Sequence, residues 1–334
     1  MTKVALITGG STPERNVALA GAGLVAEALR QRKYEVHVVD TYRGTLTREE
    51  EELYLDPTVG LEPPTPQELK EIAAKELSTD LVDVDAVQSS DVLFLVLHGR
   101  QGEGGQLQSL FEIAGLVFVG CDSAGSLLAM DKDVSKRLFE HAGIPTPDWG
   151  LWPMSQAALA KIGLPVVVKP SRVGSSVGLT VVRNLEAMPE AVIEAQKFDD
   201  CVLVEAFIEG REYTVGVLGD EALAVGEILP SHETFDYQCK YTASLCEEIF
   251  PATIDETLAD ELRRLALAAH RALKLRDFSR ADFRVSSDGR VFCLEVNTLP
   301  GMAPTSLLPQ SAAAAGIPFP ELCDRICRMA LGRK

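Results

Sequence analysis

The stretch FSRADFRVSSDGRVFCLEVN, residues 278–297, constrains this chain more than any other. Two runs of alternating apolar residues flank Ser287-Asp288-Gly289, the residue types that close a tight hairpin, so the runs must pair antiparallel. Counting outward from that turn places Asp282 near Glu295 across the pair. The two-residue period of a strand puts Glu295 and Asn297 on one face. Three oxygen-bearing side chains on one sheet face suit a hard cation that keeps waters and takes substrate phosphates, the coordination habit of magnesium. A merely solvated hairpin face is the plainer alternative.

Composition narrows the classes. The 334-residue chain is 46% hydrophobic and 24% charged, enough for two or three compact domains. No apolar run approaches the roughly 18–20 residues of a membrane span. MTKVALITGG reads as a first strand without the cleavage site of a secretory leader. The formal charge of −17 argues against nucleic acid as a partner, since phosphate backbones demand a basic surface. It does not exclude a small anion, because local charge can oppose the global sign. The seven cysteines are odd in number and scattered, without zinc-like spacing, and are expected to be reduced thiols of a cytoplasmic protein.

Along the chain, VALITGG, AGLVAEAL, YEVHVVD and DVLFLVLHG alternate strand-like with helix-like runs, a βαβ pattern that predicts a parallel, doubly wound first domain. Residues 44–80 are acidic and proline-rich, a surface excursion with a short helix expected at 70–76. Residues 106–120 predict one more helix and strand, closing this domain. After a helical MDKDVSKRLFEHAG, LPVVVKPSRVGSSVGLTVVRN reads as two strands around a Gly/Ser turn. REYTVGVLGDEALAVGEIL reads as a hairpin turning at Gly-Asp, and a long amphipathic helix precedes the last hairpin. The expected division is three domains: 1–120, an N-terminal α/β domain; 121–204, a central subdomain; and 205–334, a C-terminal subdomain carrying the metal and acceptor sites.

Other segments bear on the cation reading. In LPVVVKPSRVGSSVG, Lys169 closes a buried strand and a Gly/Ser loop follows, offering N–H groups and hydroxyls to phosphate oxygens beside a point charge. This is not a Walker loop, because the lysine precedes the glycines, and a flexible surface turn would look the same. Lys132 adds a second cation, although a helix lysine is usually solvated. VLVEAFIEGREYTV carries Glu205 and Glu212 around a short connection that could meet an adenine edge and ribose hydroxyls.

The ordered set of Lys132, Lys169 with its loop, Glu205 with Glu212, Asp282 and Glu295-x-Asn297 resembles the ATP-grasp superfamily. The resemblance sharpens to the D-alanine–D-alanine ligases through GGSTPERNVAL, LHGRQGEGGQLQSLFE, FVGCDSAGSLLAMDKDVSK, VVKPSRVGSSVG, FDYQCKY, SRADFRV and LEVNTLPGMAPTSLLPQSAAAAGI. These run in family order from residue 9 to about residue 317. The resemblance implies an α/β fold, α+β in parts, of three domains, with ATP bound between the central and C-terminal ones. It also implies ATP-dependent joining of two D-alanines through an acyl phosphate, two Mg2+ (or Mn2+) ions, and a homodimer.

Roles follow residue by residue from the same resemblance. Lys132, Lys169 and Ser176 would contact the ATP phosphates, with Lys240 near the γ-phosphate. Glu205 and Glu212 would hold adenine and ribose, with the backbone of Phe207 and Ile208. Asp282 and Asn297 would each bind one metal ion and Glu295 would bridge both. Glu14 would take the first D-alanine's ammonium, with Val17 and His98 lining that subsite. Ser175 and Tyr241 would join Glu14 in a link that closes a lid. Arg280 and the Gly301 backbone would stabilise the oxyanion. Ser306 and the backbone of Leu307 would bind the second carboxylate. Taken singly, Glu14 could be a helix-terminal charge, His98 a satisfied strand-end histidine, Tyr241 ordinary loop packing and Arg280 a surface ion pair.

Four positions depart from the usual family pattern: Val173 stands where glutamate is usual, GEGG replaces GEDG at 102–105, the aromatic motif reads TFDY, and Ala18 replaces a frequent serine. None is a metal or phosphate ligand. Two rivals remain. A related carboxylate–amine or depsipeptide ligase could use D-serine or D-lactate, and the Lys240-Tyr241 pair argues against the lactate variant. A non-catalytic nucleotide-binding module predicts a missing metal or oxyanion residue, and Asp282, Glu295, Asn297 and Arg280 are all present.

Overall fold

The computed structural model describes residues 1–57, 63–230 and 246–333. Lys3–Thr8 (β1), Glu35–Asp40 (β2), Gly44–Thr45 (β3) and Val92–Val96 (β4) form the first sheet, in the order β3-β2-β1-β4. β2 and β4 flank β1 in parallel, and the two-residue β3 is antiparallel to β2. Every residue of β4, and all but the first of β1, is buried, as strands covered on both faces require. The expected strand after residue 115 reduces to a single parallel bridge, Leu93 with Phe118. Gly120 then adopts a positive φ of 84° and gives its N–H to Asp277, which turns the chain out of the sheet.

Two capping boxes punctuate the acidic excursion. Thr47 and Glu50 start a helix at Arg48–Tyr54, and Thr65 and Glu68 start one at Pro66–Ala73, four residues earlier than the apolar pattern alone predicts.

The second sheet contains Trp149–Leu151 (β5), Val166–Pro170 (β6), Thr180–Val182 (β7) and Val202–Ala206 (β8), antiparallel in the order β5-β8-β6-β7. The helix Met188–Gln196 covers it through Met188, Ala191, Val192 and Ala195, which share a core with Val166, Val168 and Val204.

The third sheet is antiparallel, β11-β10-β9-β12-β13, from Gly210–Leu218 (β9), Glu221–Pro230 (β10), Cys246–Ile249 (β11), Phe278–Ser286 (β12) and Val291–Asn297 (β13). Tyr213, Val215, Ala281, Phe283 and Val296 point to one face, where Leu262, Leu265, Ala266 and Ala269 of the helix Glu256–Ala272 bury them. Phe139 and Ile144 join this core, so the helix Lys132–His141 packs with the third sheet. On the opposite face, Leu308 and Ser311 pack over Gly216 at one end, and polar side chains occupy the strands beside it.

At its end the chain returns to its start. Leu308, Leu322 and Ile326, from the helices Leu307–Ala314 and Phe319–Leu331, share one core with Val4, Leu29 and Phe94 of the first sheet's unit. The loop between β13 and Leu307 therefore crosses from the third sheet to the first unit. Among the described residues no helix is long and apolar enough to cross a membrane.

Candidate active site

Strand alternation builds the centre of the site. Glu212 and Thr214 on β9, Arg280, Asp282 and Arg284 on β12, and Glu295 and Asn297 on β13 occupy one face. Asp282 is registered against Thr214 and Glu295, Arg280 against Asn297, and Arg284 against Glu212. The register shifts between Asp282 and Phe283, where Phe283 faces Cys293 and Leu294 is the extra residue. That bulge turns Leu294 toward the cleft together with Glu295.

Asp282 is tightly held. Its Oδ1 accepts from Thr214 Oγ1 at 2.7 Å and Arg280 Nε at 2.9 Å, and its Oδ2 from Arg280 Nη2 at 2.7 Å and Asn297 Nδ2 at 3.0 Å. Burial disfavours the Arg280 guanidinium, but Asp282 outweighs it and raises its pKa. Glu295 pairs with Lys132, whose Nζ lies 3.1 Å from Oε2 and donates to the Val173 carbonyl at 2.9 Å. The contact to Val173 goes to its backbone, so the departure from glutamate at that position leaves it intact. Glu212 pairs with Arg284 at 2.9 Å.

The lysines come from opposite sides. Asp131 caps the helix Lys132–His141 through the N–H groups of Asp133 and Val134, and also accepts from Ser171 Oγ at 3.1 Å. That bond ties the helix start to the segment after β6, which carries Lys169. Lys169 Nζ donates to Glu205 Oε1 at the end of β8. Glu205 is 3% exposed. Burial works against its ionisation, yet Lys136 and Lys169 prevail and hold the carboxyl below its ordinary pKa.

Lys132, Lys169, Ser175, Ser176, Glu205, Phe207, Ile208, Glu212, Asp282 and Glu295 line one open cleft. Its lining sets a few convergent charged and hydroxyl groups among apolar side chains, the usual make-up of a small-molecule site. Ser175 and Ser176 both hold left-handed backbone, φ 55° and 56°, which costs a residue with a Cβ on the order of 1 kcal/mol.

The first unit contributes at the rim. Glu14 is the N-cap of the helix Arg15–Gln31 but makes no side-chain cap bond; its carboxylate instead accepts from Ser175 Oγ. The helix-terminal reading of Glu14 thus gives way to a cross-unit link. Val17 and His98 are buried, and the His98 carbonyl lies within reach of Thr12 Oγ1 at 3.4 Å. Nearby Glu103 accepts the Gly99 N–H at 2.8 Å. Burial, then the charge of Glu14, raises its carboxyl pKa to about 8. In the crossing loop, Gly301 abuts Ser306: a Cβ there would lie 2.8 Å from Ser306 Oγ, which accepts from the Ala303 N–H at 3.2 Å. Leu307 is buried at the start of its helix.

Lys240, Tyr241 and the TFDY motif lie outside the described residues. Four residues of the site went unnoticed in the sequence. Thr214 and Arg284 follow by strand alternation from Glu212 and Asp282. Lys136 follows from Lys132 by one helix turn. Glu103 sits in the very motif that marks the first unit. Among the described residues no three His, Cys, Asp or Glu side chains form a metal cage. The candidate set is two carboxylates and an amide.

The chain is similar to known proteins over nearly its whole length. Models described as D-ala D-ala ligase N-terminus and C-terminus match residues 3–121 and 138–328. The D-alanine–D-alanine ligase of Aquifex aeolicus is 38% identical over 327 residues, covering 97% of this chain and 99% of its own. Among solved structures, the D-alanine–D-alanine ligase of Bacillus anthracis complexed with ATP superposes with a TM-score of 0.79 at 27% identity, over 100% of this chain and 98% of that one. The VanG D-Ala:D-Ser ligase of Enterococcus faecalis gives 0.80 at 30% identity, over 98% and 99%.

Proposed function

The chain belongs to the D-alanine–D-alanine ligase family, and we propose that it joins two D-alanines to D-alanyl-D-alanine with cleavage of ATP to ADP and phosphate. The architecture is ATP-grasp, and the dipeptide serves peptidoglycan precursor synthesis. One observation carries the reading. Two lysines, the Glu205 and Glu212 carboxylates and the Asp282–Glu295 pair converge on one cleft whose rim is tied to Glu14 through Ser175.

The chemistry explains that convergence. A carboxylate attacking a phosphate anion meets like-charge repulsion, so cations must surround the transferring group. Lys132 and Lys169, with Ser176, take the ATP phosphates, and Lys240 joins them in this reading. Glu205 and the Phe207–Ile208 backbone hold adenine, and Glu212 holds the ribose. Asp282, Glu295 and Asn297 present hard oxygens on one sheet face, a donor set that fits two Mg2+ or Mn2+ ions. Those ions, when bound, neutralise charge on the phosphates during transfer.

Glu14 takes the ammonium of the first D-alanine, beside Val17 and His98. A carboxylate oxygen of that D-alanine attacks the γ-phosphorus, ADP leaves, and D-alanyl phosphate remains. That species hydrolyses readily, so water must be kept out, and the Glu14–Ser175 link, extended by Tyr241, holds the cover. Ser306 and the Leu307 backbone then place the second carboxylate. The second amine attacks the carbonyl carbon, Arg280 and the Gly301 N–H stabilise the oxyanion, and phosphate departs.

The same reading divides the chain into units at 1–120, 121–204 and 205–334, the second boundary falling inside β8, and makes the protein a cytoplasmic homodimer. A second acceptor, D-serine, is favoured by the likeness to a D-Ala:D-Ser ligase. The test supplies ATP and magnesium with D-alanine, D-serine, D-lactate and L-alanine, and follows phosphate release with product mass. D-alanyl-D-alanine as the main product supports the reading; phosphate release that stays at background with every D-amino acid sinks it.

A further inference from the structure

We propose that Lys136, which carries none of the roles assigned above, is a positioning residue for nucleobase selection. In this role it stays as the fixed counter-ion of Glu205 when ATP draws Lys169 away, and so maintains the preference for adenine over guanine. The inference rests on the ATP reading given above and deepens it.

Lys132 and Lys136 are one helix turn apart on the same face, but they serve different ends of the cleft. Lys132 reaches Val173 and Glu295. Lys136 reaches Glu205 Oε2 at 2.8 Å, Thr146 Oγ1 at 2.7 Å and the Pro147 carbonyl at 3.4 Å. The contact with Glu205 is an ion pair, and the ammonium donates to Thr146 and to the Pro147 carbonyl, which anchor it beside the carboxylate. Lys136 is 0% exposed, its Nζ lies 5.5 Å from the Trp149 ring, and Thr146 is itself fixed by donating to the Cys293 carbonyl at 2.8 Å. The side chain has no room to swing.

Lys169 differs. It lines the cleft beside the Gly/Ser loop, and its bond runs to the other Glu205 oxygen, Oε1. Each oxygen of Glu205 therefore has its own lysine. If Lys169 turns to a phosphate, Oε1 is freed to accept from the base, while Oε2 keeps Lys136. The adenine 6-amino group donates to a carboxylate oxygen. Guanine presents its O6 acceptor there, and two lone pairs would face each other. This discrimination exists only while Glu205 is ionised. A buried carboxylate without a counter-ion takes up a proton instead, and a carboxylic acid can satisfy either base.

The test compares ATP and GTP binding to the full-length wild type, Lys136→Met, Glu205→Gln and the double variant, by calorimetry, with KM for D-alanine measured alongside. For Lys136→Met the expected result is an ATP-over-GTP preference reduced by about tenfold or more, with the D-alanine KM little changed. The double variant removes the charge together with its counter-ion, so it folds even if Lys136→Met does not. It should show the same base preference as Glu205→Gln alone. A folded Lys136→Met that keeps the wild-type preference overturns the inference, as do effects of the two substitutions that simply add. Wild type that binds no ATP would instead bring down the functional reading, and this inference with it.

Discussion

The Ser175 hydroxyl donates to Glu14 Oε1 across 161 residues of sequence, joining the loop after β6 to the first helix of the chain. A hydrogen bond to a charged group is worth about 1.5–3 kcal/mol, so its loss maps onto a rate effect of roughly 10–100-fold if the link matters chiefly in the closed, reacting state. Ser175→Ala should lower kcat by that range while leaving the Kd for ATP within a few-fold. Steady-state kinetics with nucleotide binding separates the two quantities. A parallel rise in the ATP Kd would place Ser175 in phosphate binding instead.

Glu295 faces Asp282 across the hairpin and touches Lys132, and its side chain is 26% exposed. Little packing depends on it. Glu295→Gln should therefore leave the thermal midpoint nearly unchanged while lowering turnover by at least about 100-fold, because a carboxylate that would hold the metal ions is lost. Near-normal activity would remove the metal assignment.

Gly301 and Ser306 sit in contact, with 2.8 Å between the position of an added Cβ and Ser306 Oγ. Gly301→Ala must displace that hydroxyl. The expected outcome is a KM for the second D-alanine raised about tenfold or more, with the first-site KM and the ATP Kd much less affected. Substrate-saturation curves resolved into the two D-alanine sites check it, and equal effects at both would contradict the placement.

His270 makes a pH prediction away from the site. It is buried against Ser279 Oγ at 2.7 Å, and burial lowers its pKa to about 4. The unfolded chain titrates near 6.5, so below that pH the unfolded state binds a proton that the folded state refuses. Stability should then fall as pH drops from about 6.5 toward 4, by on the order of 2–3 kcal/mol, and this term should be flat above 7. Urea unfolding at pH 7 and 4.5 measures the difference. His270→Gln should show a smaller acid loss than wild type; an equal loss would clear His270 of the effect.

Much of the centre was legible from residues alone. Counting from the Asp288-Gly289 turn places Asp282 near Glu295; the register nearest the turn, Val285 with Val291 and Phe283 with Cys293, would by itself set Asp282 opposite Leu294, and the bulge moves it to Glu295. Strand alternation likewise brings Glu212 and Asp282 to one face. The bulge at Leu294 was not legible, because an extra residue in one strand depends on how the partner and the core beneath it pack. Lys136 escaped for a related reason. A lysine on an amphipathic helix reads as solvated, and only the approach of β5 and β8 buries it. The helix Pro66–Ala73 began earlier than expected because its start is set by the Thr65–Glu68 capping box and not by apolar spacing. Residues 116–120 look like a full strand but make one bridge, since the positive φ of Gly120 and its bond to Asp277 lead the chain away.

If the first D-alanine carboxylate attacks the γ-phosphorus, one of its oxygens becomes the bridging oxygen of the acyl phosphate and leaves with phosphate. D-alanine labelled with 18O in both carboxylate oxygens, incubated with ATP, magnesium and the enzyme in unlabelled water, tests this directly by mass analysis of the released phosphate. Each released phosphate should carry one 18O atom, and the dipeptide should keep three of the four, one of them in the peptide carbonyl. Phosphate that carries no 18O, while dipeptide still forms, would contradict it.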